Sequence, residues 1–416
     1  MIFYEKRRRI FTDKKNNSRR KPPIRMGGGA AAVPEKKHRA DVKRFINFSI
    51  PQKFDFSFFM IILIFLAFGL VMLFSATYAM KYNGDSFYFI KRQLIFAAAG
   101  FAAMILISFI DYHFYAQKFI IKTAAVVSIG LMLLVRIMGT TLGGAERWLS
   151  IGEITIQPSE ILKLATILVI ADYMQRNYDK MDDFKKGFFP IILRVAIACG
   201  LVIMQPHLSA TVIIFCVSLA MLCIGGAKRT HLLLVITGIA VLALIIMVVF
   251  PAMGYDYVTT RLESWRDPES DVLKGTYQTY QSLITIASGG VFGLGLGNSR
   301  QKYGYLPVTQ NDFIFSVICE ELGLVGAILV ILLFVIFILR GFYIASAAPD
   351  KFGMLLCSGI VIQLALQAFL NIAVASNAIP NTGVSFPFLS YGGTALMMQL
   401  AEMGIVLNIS RKAALD

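Results

Sequence analysis

Ser299-Arg-Gln-Lys-Tyr-Gly-Tyr-Leu-Pro-Val-Thr-Gln-Asn-Asp-Phe-Ile-Phe-Ser-Val-Ile-Cys-Glu-Glu-Leu-Gly323 changes character halfway along. As far as Asn311 it is polar and broken by Gly304 and Pro307; from Phe313 an apolar run continues to Arg340. That run exceeds the roughly 20 residues that carry a helix through about 30 Å of hydrocarbon. The stretch therefore reads as a surface loop entering a membrane helix, with Asp312 at the junction. A carboxylate there meets unpaired backbone N–H groups and the positive helix end, which favour its ionised form. Asn and Asp are also among the best N-cap residues, so an isolated Asp would be read as a cap. The long polar loop before it adds a chemical reading. So do Glu320 and Glu321, two turns into apolar helix, where charge is costly and usually functional.

The rest of the chain repeats the apolar half of this pattern. Its 416 residues are 57% hydrophobic, with a mean hydropathy of +0.67, against about 45–50% apolar residues in soluble domains. Apolar runs recur at about 56–77, 93–110, 119–135, 158–174, 188–204, 210–226, 231–250, 313–340, 352–375 and 390–409. The sequence predicts an all-α, polytopic integral membrane protein of about ten transmembrane helices. A barrel is excluded, because barrel strands alternate over about ten residues and these runs do not. Cys199, Cys216, Cys223, Cys319 and Cys357 all fall inside apolar runs, with neither zinc spacing nor a disulfide framework.

The net charge of +15 is concentrated at the start, where residues 1–53 carry sixteen Lys/Arg against four Asp/Glu. With the Gly27–Ala32 tract, this reads as a disordered basic tail beside an anionic membrane surface, not a nucleic-acid arm or a removable signal peptide. An even number of spans puts both termini on one side. Lys118, Arg176, Lys180, Lys185, Lys186, Lys228, Arg229, Arg340, Lys351, Arg411 and Lys412 share that side, and the 377–389 loop opposite has no charge at all. The positive-inside rule then places both termini in the cytoplasm. The resulting plan is a tail at 1–53, a transmembrane domain at 54–411, and a cytoplasmic C-terminus at 412–416. A large extracellular loop, 251–312, lies between spans seven and eight.

A loop of that length is uncommon unless it is functional. Within it Tyr277, Tyr280, Ile284 and Ala287 recur at helical spacing, with Gln278, Gln281 and Ser282 on other faces. This predicts an amphipathic helix lying on the membrane surface. Gly289–Gly297 is rich in glycine, but no strand precedes it and no GKS/T ends it. It reads as a flexible or closely packed turn. Before the fourth span, Arg147-Trp148 leads through Gln157-Pro-Ser-Glu160, and Lys163 follows on the same helix face as Glu160. Two readings stand side by side: a self-neutralising pair that locks packing, or the charged wall of a substrate cavity. Gln205-Pro-His207 reads as a polar turn, since His207 has no second clustered ligand for a metal. Ile379 to Thr394 looks re-entrant. Its hydroxyls and glycines can repair backbone bonds at membrane depth or line a polar cleft.

Taken together these motifs resemble the SEDS family (shape, elongation, division and sporulation), the FtsW/RodA/SpoVE proteins. The resemblance covers about residues 54–411. It rests on Arg147-Trp148 with Gln157-Pro-Ser-Glu160, on Asp267-Pro with Tyr277 and Gln281-Ser282, and on Tyr305-Leu-Pro. Asp312-Phe-Ile-Phe with Glu320-Glu-Leu-Gly323, and Gly383 through Ser390-Tyr-Gly-Gly393, complete the set. Gly295-Leu-Gly-Asn-Ser299 with Gln301-Lys302 is closer to the FtsW/SpoVE branch. Membership implies a peptidoglycan glycosyltransferase that polymerises lipid II outside the membrane alongside a class B penicillin-binding protein, with Asp312 as the catalytic aspartate. Two departures are visible. Many members have Pro-Glu-x-His-Thr before that aspartate, where this chain has Pro307-Val-Thr-Gln-Asn311, and His207 stands where many have Asp.

The implied chemistry suits the residues. A sugar hydroxyl attacks an anomeric carbon, so it needs a general base, and the departing lipid diphosphate needs positive charge. Asp312 is the expected base. Arg261 and Lys302 are the expected diphosphate contacts, since guanidinium and ammonium groups bind phosphate oxygens well. The expected substrate-binding set is completed by Gln281, Ser282, Glu160, Lys163, Ser390 and Tyr391. The sequence holds no metal-ligand cluster; a divalent cation is an alternative source of positive charge. The rival readings are a lipid-precursor flippase and a non-catalytic cell-wall scaffold. Against the flippase stands the lack of an inverted repeat or of paired broken helices.

Overall fold

The computed structural model describes residues 54–80, 84–142, 145–151, 154–205, 207–238, 265–269, 276–307 and 309–414. The basic tail, Arg261, and most of the predicted seventh span lie outside the described residues. In chain order the helices are α1 (Phe56–Thr77), α2 (Tyr88–Phe109), α3 (Lys118–Met138), α4 (Pro158–Arg176), α5 (Phe189–Ile203) and α6 (Leu208–Ile224). They continue with α7 (Tyr277–Ser288), α8 (Ile314–Ala347), α9 (Lys351–Ala375) and α10 (Gly393–Lys412). A further helix starts at 229 and leaves the described residues after 238. Among the described residues six helices are long and apolar enough to cross a membrane: α1, α2, α3, α5 with the π-turn before it, α8 and α9. The chain is a polytopic, all-α membrane protein. α4 and α10 also have spanning length but carry buried charge, and α6 is shorter.

The helices meet where side chains are small or flat. Phe58 and Phe65 of α1 stack against Phe334 and Phe337 of α8, and Phe386 and Phe388 of the loop after α9 complete the column. α2 and α10 cross at Gly100 and Gly404; a Cβ on Gly404 would lie 2.6 Å from the Met104 carbonyl oxygen. Small residues at a crossing let membrane helices approach by their backbones. At the far end of the bundle from Asp312, Asp55 caps α1 by accepting from the Phe58 N–H at 2.9 Å. Its other oxygen accepts from Arg340 Nε at 2.7 Å, which ties α1 to α8.

Three features depart from the sequence reading. The segment 136–157, read as a loop, contains a three-stranded antiparallel sheet: β1 (Thr140–Leu142), β2 (Ala145–Ile151) and β3 (Ile154–Ile156). Its register pairs Thr140 with Trp148 and Leu149 with Ile156. Strands this short give no hydropathy signal at the window of a membrane span.

The second departure concerns α7, which forms where its spacing predicts but buries Thr279, Ser282 and Thr285 instead of its apolar stripe. Ser282 Oγ lies 2.7 Å from Ser316 Oγ of α8 and donates to the Ala375 carbonyl of α9 at 2.7 Å. Small hydroxyl residues allow this close packing. The adjoining Gly289 confirms it, since a Cβ there would lie 2.0 Å from the Cys319 carbonyl oxygen.

Third, α8 is broken at Gly323, with φ 68° and ψ −168°. The glycine-rich turn after α7 fills the gap. Leu294 and Gly295 N–H groups donate to the Glu320 and Glu321 carbonyls at 2.9 and 3.0 Å, and Leu324 N–H donates back to Gly290 O at 3.0 Å. A helix opened at membrane depth is tolerated because the freed groups find partners inside the protein.

Candidate active site

Asp312 sits in a turn whose carbonyls are held one after another. Tyr391 N–H donates to Gln310 O at 2.7 Å. Ser390 Oγ donates to Asn311 O, and Asn371 Nδ2 donates to Asp312 O at 2.8 Å. The same Asn371 amide also reaches Val384 O at 2.6 Å, so one α9 side chain ties the Asp312 turn to the loop after α9. That loop packs down onto α1: a Cβ on Gly69 would lie 2.3 Å from Phe388 O. Gly69 stands eight residues, roughly 12 Å, inside the end of α1 at Thr77. The loop is thus re-entrant. Its backbone is repaired by side chains: Gln93 Nε2 donates to Ser390 O at 3.3 Å, and Ser209 Oγ donates to Thr382 O at 2.9 Å. Phe388 is held at φ 63°, and its N–H donates to Gln399 Oε1 at 2.9 Å. A bulky residue in the left-handed region costs energy and persists only where its surroundings hold it.

The Asp312 backbone is therefore fixed while its carboxylate is not. Among the described residues no hydrogen bond reaches that carboxylate. It is not a helix cap: the N-cap of α8 is Phe313, with no side-chain hydrogen bond. Gly383, at φ 66°, leaves room for it, since a Cβ there would lie 3.3 Å from Asp312 Oδ2. Burial pushes the Asp312 carboxyl up to about 6, against the opposing pull of the Arg147 guanidinium. Arg147 comes from β2 and also acts on His207, which is buried in the turn before α6. There burial first, then the charges of Arg147 and Lys163, push the imidazole down to about 3, so it is neutral at physiological pH. The Arg147 guanidinium thus acts on both a poised carboxylate and a neutral imidazole.

The other expected residues fall into separate groups. Glu160 and Lys163 pair at 2.7 Å, with side chains 7% and 2% exposed, so they are a buried ion pair inside the bundle. Beside them Glu402 of α10 accepts from Gln363 Nε2 of α9 at 2.9 and 3.1 Å and is within electrostatic reach of both. Ser390 is committed to the fold, accepting from Phe386 N–H at 2.8 Å as well as donating to Asn311 O. Tyr391 adds a ring contact to Phe89 at 5.1 Å between centroids. Ser282 packs α7 against α8 and α9. Gln281 lies on the same helix, half-buried, and its carbonyl accepts from Thr285 Oγ1 at 2.5 Å.

Lys302 is placed where the sequence did not put it. It is buried, and its ammonium donates to Gly297 O at 2.5 Å and lies 3.4 Å from Glu321 Oε1. Ser75 Oγ of α1 lies 2.7 and 2.6 Å from the two Glu321 oxygens. Glu320 accepts from Arg300 N–H at 3.0 Å and from Ser299 Oγ. Lys302 therefore helps weld the turn after α7 into the break of α8, and among the described residues the cation acting on Asp312 is Arg147. The Arg147-Trp148 motif alone does not reveal this role, because the groups that Arg147 acts on, Asp312 and His207, are far from it in sequence. Among the described residues no three of His, Cys, Asp and Glu gather into a cation site.

The sequence matches the FtsW/RodA/SpoVE cell cycle protein family over residues 55–415. It is 37% identical over 361 residues to stage V sporulation protein E of Bacillus subtilis (strain 168), covering 86% of this chain and 97% of that protein. It is 38% identical over 368 residues to a probable peptidoglycan glycosyltransferase FtsW of the same organism, covering 86% and 91%. Among solved structures, a chain from a peptidoglycan synthase complex that coordinates polymerization and crosslinking superposes with a TM-score of 0.74. Their identity is 25%, with 87% of this chain and 99% of that chain covered. The rod shape determining protein RodA of Thermus thermophilus gives 0.64 at 24% identity, covering 87% and 98%, a likeness of fold.

Proposed function

The chain belongs to the FtsW/RodA/SpoVE cell cycle protein family, and on that premise we propose that it is a peptidoglycan glycosyltransferase polymerising lipid II, with Asp312 as general base. The observation that carries this reading is a carboxylate whose backbone is held at three successive carbonyls while its oxygens are left unbonded and raised to about 6. A general base works best with a pKa near the operating pH. In the reaction Asp312 takes the proton of the acceptor hydroxyl as its oxygen bonds to the anomeric carbon of the donor. The bond from that carbon to the lipid diphosphate breaks, and the diphosphate leaves with the electron pair. A single displacement inverts the α-linked donor to a β-linked strand. Arg147 is the described cation next to this centre, and Arg261 of the long loop is the second candidate for the diphosphate. The partner is a class B penicillin-binding protein.

The reaction is expected to follow the ionisation of Asp312. Because the base is active only as carboxylate, kcat/KM should fall tenfold per pH unit below about 6 and be level above it. A profile whose lower limb is centred near 3 would point to His207 instead. A flippase or ion-coupled carrier is disfavoured by the intramembrane carboxylates. Glu160 is paired with Lys163, Glu402 with Gln363, Glu320 with Ser299 and Arg300, and Glu321 with Ser75 and Lys302. Among the described residues these leave no unpartnered intramembrane glutamate to carry an ion.

The site is placed at the external face of the cytoplasmic membrane, with both termini inside, on the distribution of Lys and Arg. A cysteine introduced as Glu269→Cys should react with an impermeant maleimide in intact cells, while Lys228→Cys should be protected until the cells are opened. The opposite pattern would invert the topology and remove Asp312 from the side where peptidoglycan is made.

A further inference from the structure

A cavity of about 180 Å³ lies between α3, α4 and α5, away from Asp312, and no step of the reaction uses it. Its walls are Ala125 and Ile129 of α3, Leu162 and Val169 of α4, and Ala198 and Leu201 of α5, with few polar groups among them. Apolar cavities of roughly 150 Å³ take up benzene-sized ligands without water. Arg194 also lines it. The guanidinium lies 4.4 Å over the Tyr173 ring and donates to its own helix at Pro190 O, 2.7 Å away. Among the described residues no carboxylate pairs with it. Lys122, exposed, is one turn before Ala125 on the same face of α3.

The three helices place these groups at one depth. α3 and α5 begin, and α4 ends, at the same basic edge of the bundle, near Lys118, Phe189 and Arg176. Arg194 is five residues, roughly 8 Å, past the first residue of α5, Leu201 is twelve residues, roughly 18 Å, past it, and Leu162 is fourteen residues, roughly 21 Å, from the end of α4 at Arg176. The apolar lining therefore runs from the basic end of these helices past the middle of about 30 Å of hydrocarbon, and the cation stands at its end nearer the basic edge, from which a long side chain reaches toward the headgroups. An apolar slot whose basic end carries two cations that no carboxylate among the described residues pairs with suits a ligand with an acyl chain and an anionic headgroup. We propose that this cavity takes up a segment of an acyl chain of an anionic phospholipid of the basic-side leaflet, its phosphate held by Arg194 and Lys122. The guanidinium fork suits phosphate oxygens, and the ring beneath it holds the fork in place.

The test uses the full-length chain purified in detergent and stripped of lipid, then titrated with phosphatidylglycerol or phosphatidylcholine and read by native mass spectrometry. Wild type is expected to hold one phosphatidylglycerol in preference to phosphatidylcholine. Arg194→Gln should weaken its retention roughly ten- to hundredfold and abolish the preference. Ala198→Phe, which fills the slot, should lose both lipids while lipid II polymerisation by the same sample stays at the wild-type rate; that activity shows that the variant is folded. Equal retention by all three proteins would overturn the proposal. Displacement of the bound phospholipid by undecaprenyl phosphate would also overturn it, by assigning the slot to the polyprenyl chain of the substrate.

Discussion

Asp312→Asn is expected to make the protein more heat-stable above pH 6 while abolishing polymerisation. The folded state holds the Asp312 proton more tightly than an unfolded chain does, since burial raises this carboxyl from 3.8 to about 6. The wild type therefore loses stability as pH rises from about 4 to 6 and bears the whole cost above 6. Asn has nothing to ionise, so its advantage should be full above pH 6 and vanish below about 4. At about 1.4 kcal/mol per pKa unit the gain is at most about 3 kcal/mol, and water reaching the carboxylate reduces it. Asp312→Ala should gain in the same way, because no helix cap is lost with it. Activity should fall by roughly 10²–10⁴, the usual contribution of a general base. Melting curves of wild type and both variants at pH 4, 6 and 8 check the pattern; a destabilised Asn variant at pH 8 would mean that the carboxylate serves the fold.

The second large effect is expected at the buried charges of α4 and should be lopsided. Among the described residues Lys163 is the one ammonium serving two carboxylates, Glu160 at 2.7 Å and Glu402 within electrostatic reach. Removing one partner of a buried pair costs about 3–5 kcal/mol because the other is left uncompensated. Lys163→Ala leaves two acids together and should reach or exceed that range. Glu160→Ala leaves Lys163 with Glu402 and should cost clearly less. Adding Glu402→Gln to Lys163→Ala should recover part of the loss, since one of the two stranded acids becomes neutral. Thermal stabilities of the three variants in one detergent decide this. Equal single effects without recovery would show that Glu402 is not part of the charge balance.

How much of this was legible depended on the range over which each signal acts. The spans were readable because an apolar run is local: α1, predicted at 56–77, is Phe56–Thr77. The place of Asp312 just before α8 was readable because the change from polar loop to apolar helix lies within a few residues of it. The partners of the charges were not, because they are chosen across the fold. Lys302 and Arg147 both sit in outer loops, yet one is taken by Glu321 and only the other acts on Asp312. The face that α7 buries was hidden for a different reason. Thr279, Ser282 and Thr285 are polar by composition, and they are inside because a closely approaching backbone needs small side chains that can hydrogen-bond. The break at Gly323 was also hidden, since Glu-Glu-Leu-Gly inside an apolar run has the hydropathy of a continuous helix.

The most direct measurement is glycan-strand formation from lipid II at pH 7.5. Purified wild type and Asp312→Asn, prepared together and both shown to be folded by their melting curves, are each assayed with the cognate class B penicillin-binding protein. The wild type should build strands and the Asn variant should build none above background, whereas strands made by a folded Asn variant at near the wild-type rate would contradict the assignment of Asp312 as the base.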